Sequence, residues 1–77
     1  MQNQRFAVIQ IFTLNGELSY AKRTDSIGFK WVKNPDERTE YSKEEADRIV
    51  LGYTAFLNRV APDYAKDICV SILRIDN

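Results

Sequence analysis

Hydrophobic and polar positions alternate along the first third of the chain, and this pattern predicts a β-hairpin. Residues 5–14 are rich in β-branched and aromatic side chains, which favour a pleated strand. Asn15 and Gly16 follow at once, and both residue types tolerate the positive φ of a two-residue type I′ turn. Residues 17–23 then form the returning strand, so that Leu14 pairs with Glu17, Ile11 with Tyr20 and Ile9 with Lys22.

The middle of the chain predicts a third strand enclosed by two turns. Residues 24–28 have turn composition, and residues 29–33 alternate between apolar and basic side chains. Residues 34–37 form the second turn, in which Pro35 fixes φ at the second position. We expect residues 38–41 to be extended and to lengthen the sheet beyond that turn.

The second half of the chain predicts one amphipathic helix and a final strand. Ser42 and Glu45 have the spacing of a capping box, which marks a helix N-terminus. Pro62 ends the helix, because the residue before a proline avoids the α region. Residues 67–75 alternate and form the last strand. Between cap and proline, the apolar residues recur at intervals of three and four, which places them on one helix face: Ala46, Ile49, Val50, Tyr53, Phe56, Leu57 and Val60.

These elements predict a single α+β domain spanning residues 1–77. The order β-β-β-α-β is best satisfied by an antiparallel-type sheet of about four strands, with the helix packed on one face. A chain of 77 residues is long enough for one domain only, and its 44% hydrophobic and 29% charged residues are ordinary globular values. Eleven basic residues balance eleven acidic ones, whereas a dedicated nucleic-acid binder usually has a basic excess.

Cysteine usage and hydropathy indicate a cytoplasmic protein. Cys69 is the single cysteine, whereas a small secreted domain normally carries several that pair as disulfides. Residues 1–5 lack the basic-then-apolar pattern of a signal peptide. The apolar run of residues 6–14 is too short and too interrupted to span a bilayer, so we expect no membrane association.

The chain offers few residues for catalysis. It has no histidine, which removes the usual general base and the commonest metal ligand. Cys69 lies in the middle of a strand and is interpreted as a small packing residue rather than a reactive thiol. The adjacent carboxylates at residues 36–37 and 44–45 fit a turn and a helix N-terminus. We therefore expect no enzymatic activity, no metal and no cofactor.

The chain resembles small accessory proteins of phages and mobile elements. The resemblance lies in a strand, Asn15 and Gly16, a second strand, and the segment Tyr-Ser-Lys-Glu-Glu-Ala at residues 41–46 that opens the helix. Some of those proteins inhibit host defence systems, anti-CRISPR proteins among them, so the resemblance implies an inhibitor that binds a host protein. The first three strands and the helix are also similar to the arm-binding domain of tyrosine recombinases, which places a sheet in the DNA major groove. That domain is more basic and does not usually carry a further strand such as residues 67–75, and neither likeness transfers functional residues.

We expect the functional surface to be the sheet face that the helix leaves open. Cross-strand partners share a face, and one hairpin face is apolar on both strands, so the helix is assigned to it. That face carries Ala7, Ile9, Ile11, Leu18 and Tyr20. The open face then forms an interface for a protein partner or for a homodimer, made by Phe6, Val8, Phe12 and Leu73 together with Cys69. Alternatively, a bulge or the loop of residues 34–41 covers this patch.

A second possible site is a patch of basic and aromatic side chains on the second and third strands. Aromatic rings stack on bases and cations meet phosphates, so such a patch suits a single nucleic-acid strand. Core aromatics with solvated lysines explain the same pattern, and Asp25 interrupts the patch. A protein-interaction module is therefore the leading hypothesis and a nucleic-acid-binding module the alternative. The patch consists of Tyr20, Lys22, Arg23, Lys30, Trp31 and Lys33.

Overall fold

The structure, a computed structural model, describes residues 4–24 and 28–75 and confirms the order of the main elements. Three residues of the predicted turn, 25–27, lie outside the described residues, as do residues 1–3. Two short helical segments were not predicted: a 3₁₀ turn at Pro35–Glu37 and helix α2 at Pro62–Ala65. The main elements are strands β1 (Arg5–Phe12), β2 (Leu18–Arg23), β3 (Phe29–Val32) and β4 (Ile68–Ile75), and helix α1 (Lys43–Val60).

The four strands form one antiparallel sheet in the order β3-β2-β1-β4. The α+β class is thereby confirmed. β1 and β4 pair along their full length, from Arg5 opposite Ile75 to Phe12 opposite Ile68. β1 and β2 therefore lie inside the sheet, and β3 and β4 form its two edges.

The hairpin between β1 and β2 has a longer loop than the sequence predicts. The Phe12 amide donates to the Glu17 carbonyl at 2.9 Å, and the Gly16 amide donates to the Phe12 carbonyl at 2.7 Å. These bonds close a loop of residues 13–16, in which Gly16 takes a φ of 73°, and glycine accepts this value without steric cost. Ile11 consequently pairs with Leu18 rather than Tyr20. The register shifts by two positions, so the predicted composition of each hairpin face is still correct.

Helix α1 begins and ends where the sequence predicts. The Ser42 hydroxyl accepts from the Glu45 amide at 3.2 Å, and the Glu45 carboxylate accepts from the Ser42 amide at 3.3 Å. This capping box satisfies N–H groups that the first helical turn leaves unpaired. At the other end, Pro62 starts α2 directly after the C-cap residue Ala61.

The core lies between α1 and the sheet face that the sequence analysis left open, so the predicted assignment of the faces is wrong. Val8 has no exposed surface and Phe6 is 7% exposed, and both belong to the core cluster with Ala46 of the helix. Phe12 lies on the same side, its ring centre 5.9 Å from that of Tyr64 in α2. Ala21, Tyr41 and Leu57 are also buried, whereas Ala7 is buried on the opposite side of β1.

The helix side of the sheet carries small and polar residues on β2, which made this face look less apolar in the sequence. Ser19 and Ala21 are both buried there. Ser19 lies directly opposite Gln10 of β1. Helix α1 itself contacts β1 and β4.

Phe56 was predicted to lie between helix and sheet together with Ile49, but only Ile49 packs against the core. Phe56 is 47% exposed. The reason is the position of the helix, which contacts β1 and β4. Phe56 lies on the flank of α1, where its ring stacks on that of Tyr53 with 6.4 Å between centroids.

Residues 39–41 lie between β1 and β2 where these two strands diverge. The sequence analysis expected residues 38–41 to be extended and to lengthen the sheet. Tyr41 and Phe6 exchange both backbone hydrogen bonds, at 2.7 and 2.9 Å. On the other side, the Thr39 amide donates to the Ala21 carbonyl at 3.1 Å, and the Thr39 hydroxyl accepts from the Arg23 amide at 2.7 Å. The segment thus connects both strands and leads the chain to the start of α1.

Candidate interaction surface

The sheet face opposite α1 carries an exposed group of apolar side chains, here called the open patch. Strand alternation and the observed register place its members on one face, because cross-strand partners share a face. Leu73 is 44% and Leu18 is 37% exposed, while Ile9 and Ile11 are half-buried. The open patch consists of Ile9, Ile11, Leu18, Cys69 and Leu73.

Among the four predicted interface residues, only Leu73 lies on this face. Phe6 and Val8 are buried under α1, and Phe12 lies beside α2, so these three do not form an exposed surface. The composition of the faces follows from the period of two along each strand. The choice between them was wrong because apolarity alone does not reveal how closely a helix is able to pack.

The loop of residues 34–41 covers one end of this face, whereas the alternative prediction had it covering the patch of Phe6, Val8 and Phe12 on the other face. The Arg38 guanidinium lies 5.9 Å from the centre of the Tyr20 ring, within cation–π range. Glu37 and Lys22 form an ion pair at 3.8 Å. The loop therefore covers only the C-terminal end of β2. The open patch lies nearer the hairpin and along β4, where the loop does not cover it.

Cys69 is exposed on the open patch, so the prediction that it is a packing residue is wrong. It lies opposite Ile11 in the register of β1 and β4. The edge position of β4 accounts for this exposure, because only one neighbouring strand shields the side chain.

The predicted nucleic-acid patch is divided between the two faces of the sheet. Tyr20, Lys22 and Lys30 lie on the open side, whereas Arg23 and Trp31 lie on the side of α1. Three of its cations are paired with carboxylates: Lys22 with Glu37 at 3.8 Å, Arg23 with Glu45 at 2.9 Å, and Lys33 with Glu17 at 2.6 Å. The hydrogen bond and the charge of Lys33 lower the pKa of Glu17. Asp25, expected to interrupt the patch, lies outside the described residues.

Four aromatic rings form a cluster on the flank of α1 that sequence reasoning did not identify. The Trp31 ring centre lies 5.1 Å from that of Phe29 and 5.2 Å from that of Tyr53, in edge-to-face arrangements. Phe56 extends the cluster by stacking on Tyr53. The three-residue spacing of Tyr53 and Phe56 was available in the sequence, but β3 supplies the other half of the cluster through the tertiary fold.

A cavity of about 300 Å³ lies between β3 and the first half of α1. Three of the side chains that line this cavity, Arg23, Tyr41 and Glu45, interact with one another. The Arg23 guanidinium pairs with Glu45 and also lies 5.1 Å from the centre of the Tyr41 ring. Burial raises the pKa of the Tyr41 phenol, outweighing the Thr39 hydroxyl and the charge of Arg23, which lower it. The Thr39 hydroxyl is engaged by the Arg23 amide, and the Tyr41 hydroxyl has no hydrogen-bond partner among the described residues.

Comparisons with known proteins add no relative. No family model, no curated protein and no solved structure matches the chain. Within residues 4–24 and 28–75, no group of three or more cysteine, aspartate or glutamate side chains is placed to hold a metal ion. Over the same part of the chain, none of the helices has the length and apolar character needed to cross a membrane.

Proposed function

We propose that this domain is a non-enzymatic protein-interaction module that binds a protein partner through the open patch. The observation that supports it is the exposure of Leu18 and Leu73 on a sheet face that the only long helix of the described residues does not cover. An antiparallel sheet with one solvated face normally alternates apolar-in and polar-out. Here both faces are apolar along β1, and contiguous exposed apolar surface marks interaction sites.

The surroundings of the open patch define the chemistry of the partner. Ion pairs lie at one end of the face, Lys22 with Glu37 and Arg5 with Glu40, the latter at 3.1 Å. An apolar centre with a polar margin is the usual anatomy of a protein–protein interface. Because the marginal charges neutralise each other, the partner presents an apolar surface rather than a strongly charged one.

The finer proposal is that the module inhibits its partner by occlusion, and that the partner is a host defence protein. The likeness to small phage proteins supports this choice, since some of those proteins inhibit host defence systems. The exposed thiol of Cys69 supports a reducing, cytoplasmic location, because an accessible thiol is readily oxidised elsewhere.

A photo-crosslinking side chain placed on either side of the molecule tests this function. It is introduced at Leu18 in one variant and at Leu51 in a matched control, which is 73% exposed on the outer side of α1. Each variant is irradiated in a lysate of the natural host cell, and heavier products are resolved on a denaturing gel. We expect discrete products from the Leu18 position only; equal products from both positions, or none from Leu18, would contradict the proposal.

A further inference from the structure

Within the described residues, no strand pairs with the outer edge of β4. Because β4 lies at the end of the strand order, it pairs with β1 along one edge only. The Thr13 amide donates to the Asp67 carbonyl at 2.9 Å, which fixes the direction of the backbone groups at the start of β4. In an antiparallel ladder this direction alternates from residue to residue. Cys69, Ser71 and Leu73 therefore point their amides and carbonyls at β1, while those of Val70 and Ile72 point outward.

The side chains along this edge are less buried than those of the neighbouring strand. Val8 of β1 is fully buried, but Ile72, its partner across the ladder and on the same face, is only half-buried. Val70 is half-buried as well. No backbone hydrogen bond within the described residues engages the outward groups of Val70 and Ile72.

β4 also has few of the features that normally keep an edge strand from pairing with another chain. Natural edges are kept short, or carry charged side chains, proline or a bulge. The only charged residue of β4 is Arg74, near its C-terminal end. β4 runs for eight residues, Ile-Cys-Val-Ser-Ile-Leu-Arg-Ile, and pairs with β1 without a bulge. The opposite edge, β3, is by contrast four residues long and contains Lys30.

We infer that the β4 edge pairs with β4 of a second copy of this chain, in antiparallel orientation, to give one eight-stranded sheet. A two-fold axis through Ser71 places Val70 opposite Ile72 of the second copy, and Ile72 opposite its Val70. This register matches every outward amide and carbonyl of these two residues with a complementary group. It also sets Arg74 opposite Ile68 of the second copy, so that no like charges face each other.

The same symmetry explains why the strand that pairs with the β4 edge belongs to a second copy of this chain. The central residues of β4 are self-complementary, since apolar residues meet apolar residues on the helix side and Ser71 meets its own copy on the open side. The axis stands perpendicular to the sheet, so the two open patches lie on one continuous face. This pairing goes beyond the proposed function and does not depend on it.

Engineered cysteines test the register directly. In a Cys69→Ser background, Ser71→Cys places the new thiol opposite its own copy, in a non-hydrogen-bonded pair whose Cα atoms are about 4.5 Å apart, within disulfide range. Leu73→Cys in the same background is the matched control, because it lies on the same strand face but about 13 Å from its copy along the strand. We expect mild oxidation to link Ser71→Cys into a dimer on a non-reducing gel and to leave Leu73→Cys monomeric.

A second measurement keeps the inference independent of thiol chemistry. Ser71→Lys places two ammonium groups opposite each other on the axis, whereas Ser71→Thr does not. Sedimentation velocity at rising concentration should show self-association of the parent and of Ser71→Thr, and a monomer for Ser71→Lys. At the lowest concentration, where all three are monomers, their melting temperatures should agree. A monomeric parent at all concentrations, or equal oxidation of both cysteine variants, would overturn the pairing. Crosslinking of a foreign protein from Leu18 would stand in either case.

Discussion

Val8 and Ile9 are neighbours in the sequence and lie on opposite faces of β1, yet only one of them is core. Val8 packs under the helix among Phe6, Ala46 and Ile49, while Ile9 is half-buried on the face without a helix. Both faces of this strand are apolar, so hydrophobicity does not separate them. The difference lies in what covers each face, since α1 contacts β1 and β4 on the side of Val8 and no helix of the described residues covers the side of Ile9. Apolarity along one strand therefore does not by itself select the face that becomes buried.

The largest expected effect contrasts the two faces at these adjacent positions. Val8→Glu puts a carboxylate without a partner into the core and should cost about 3–5 kcal/mol or more, enough to unfold a domain of this size. Ile9→Glu should leave the domain folded, because its side chain reaches solvent. Circular dichroism with urea titration separates the two variants; a folded Val8→Glu or an unfolded Ile9→Glu would reverse the assignment of faces.

Two neighbouring helix residues repeat the contrast on α1. Leu57 is buried, so Leu57→Ala should cost about 2–5 kcal/mol. Phe56 lies on the exposed flank, and Phe56→Ala should cost about 1 kcal/mol, the magnitude of one lost aromatic contact. Thermal and urea unfolding give both values, and similar losses for the two variants would mean that the helix is rotated from the position described.

The capping box supplies a smaller effect that tests how α1 is held over its face of the sheet. Ser42→Ala removes the side-chain acceptor for the Glu45 amide and should cost about 1 kcal/mol. Ser42→Asp is the control. Because aspartate is an equally good N-cap, this variant should keep most of the stability that Ser42→Ala loses. If alanine and aspartate are equivalent in urea unfolding, the cap does not contribute to stability.

The smallest effect near neutral pH concerns Tyr41, whose buried hydroxyl has no hydrogen-bond partner within residues 4–24 and 28–75. Its phenol has a folded-state pKa raised above the ordinary value of 10.0, so the folded form holds the proton more tightly than the unfolded form. The stability that depends on this proton is fully present below pH 10 and decreases as pH rises through the folded-state pKa. Tyr41→Phe should unfold like the parent at pH 7 and lose less stability than the parent as pH rises above 10. Identical alkaline profiles would contradict this role.

Local signals predicted most of the fold. The capping box, Pro62 and the three-to-four spacing located α1, and strand alternation predicted the composition of both hairpin faces. The four-residue loop of residues 13–16 was missed because the pair Asn15 and Gly16 is also typical of a two-residue turn. Only the hydrogen bonds of Phe12 and Gly16 show that the loop is longer.

The candidate site was harder to predict, because it depends on distances between elements. Gln10 lies in the helix–sheet interface, where its side-chain carbonyl accepts from the Tyr53 hydroxyl at 3.4 Å, a pairing across elements that the sequence does not reveal. Likewise, helical spacing placed Phe56 in the core, and only the position of α1 over β1 and β4 shows that it is exposed.

The most direct test of the account combines folding and binding in one double variant, Ile11→Glu with Leu73→Glu. Both changes introduce carboxylates on the open patch and none in the core, with the photo-crosslinking side chain kept at Leu18. If the partner binds through the open patch, the double variant should melt close to the parent and should no longer crosslink the partner. Unfolding of the double variant, or undiminished crosslinking by a folded one, would contradict it.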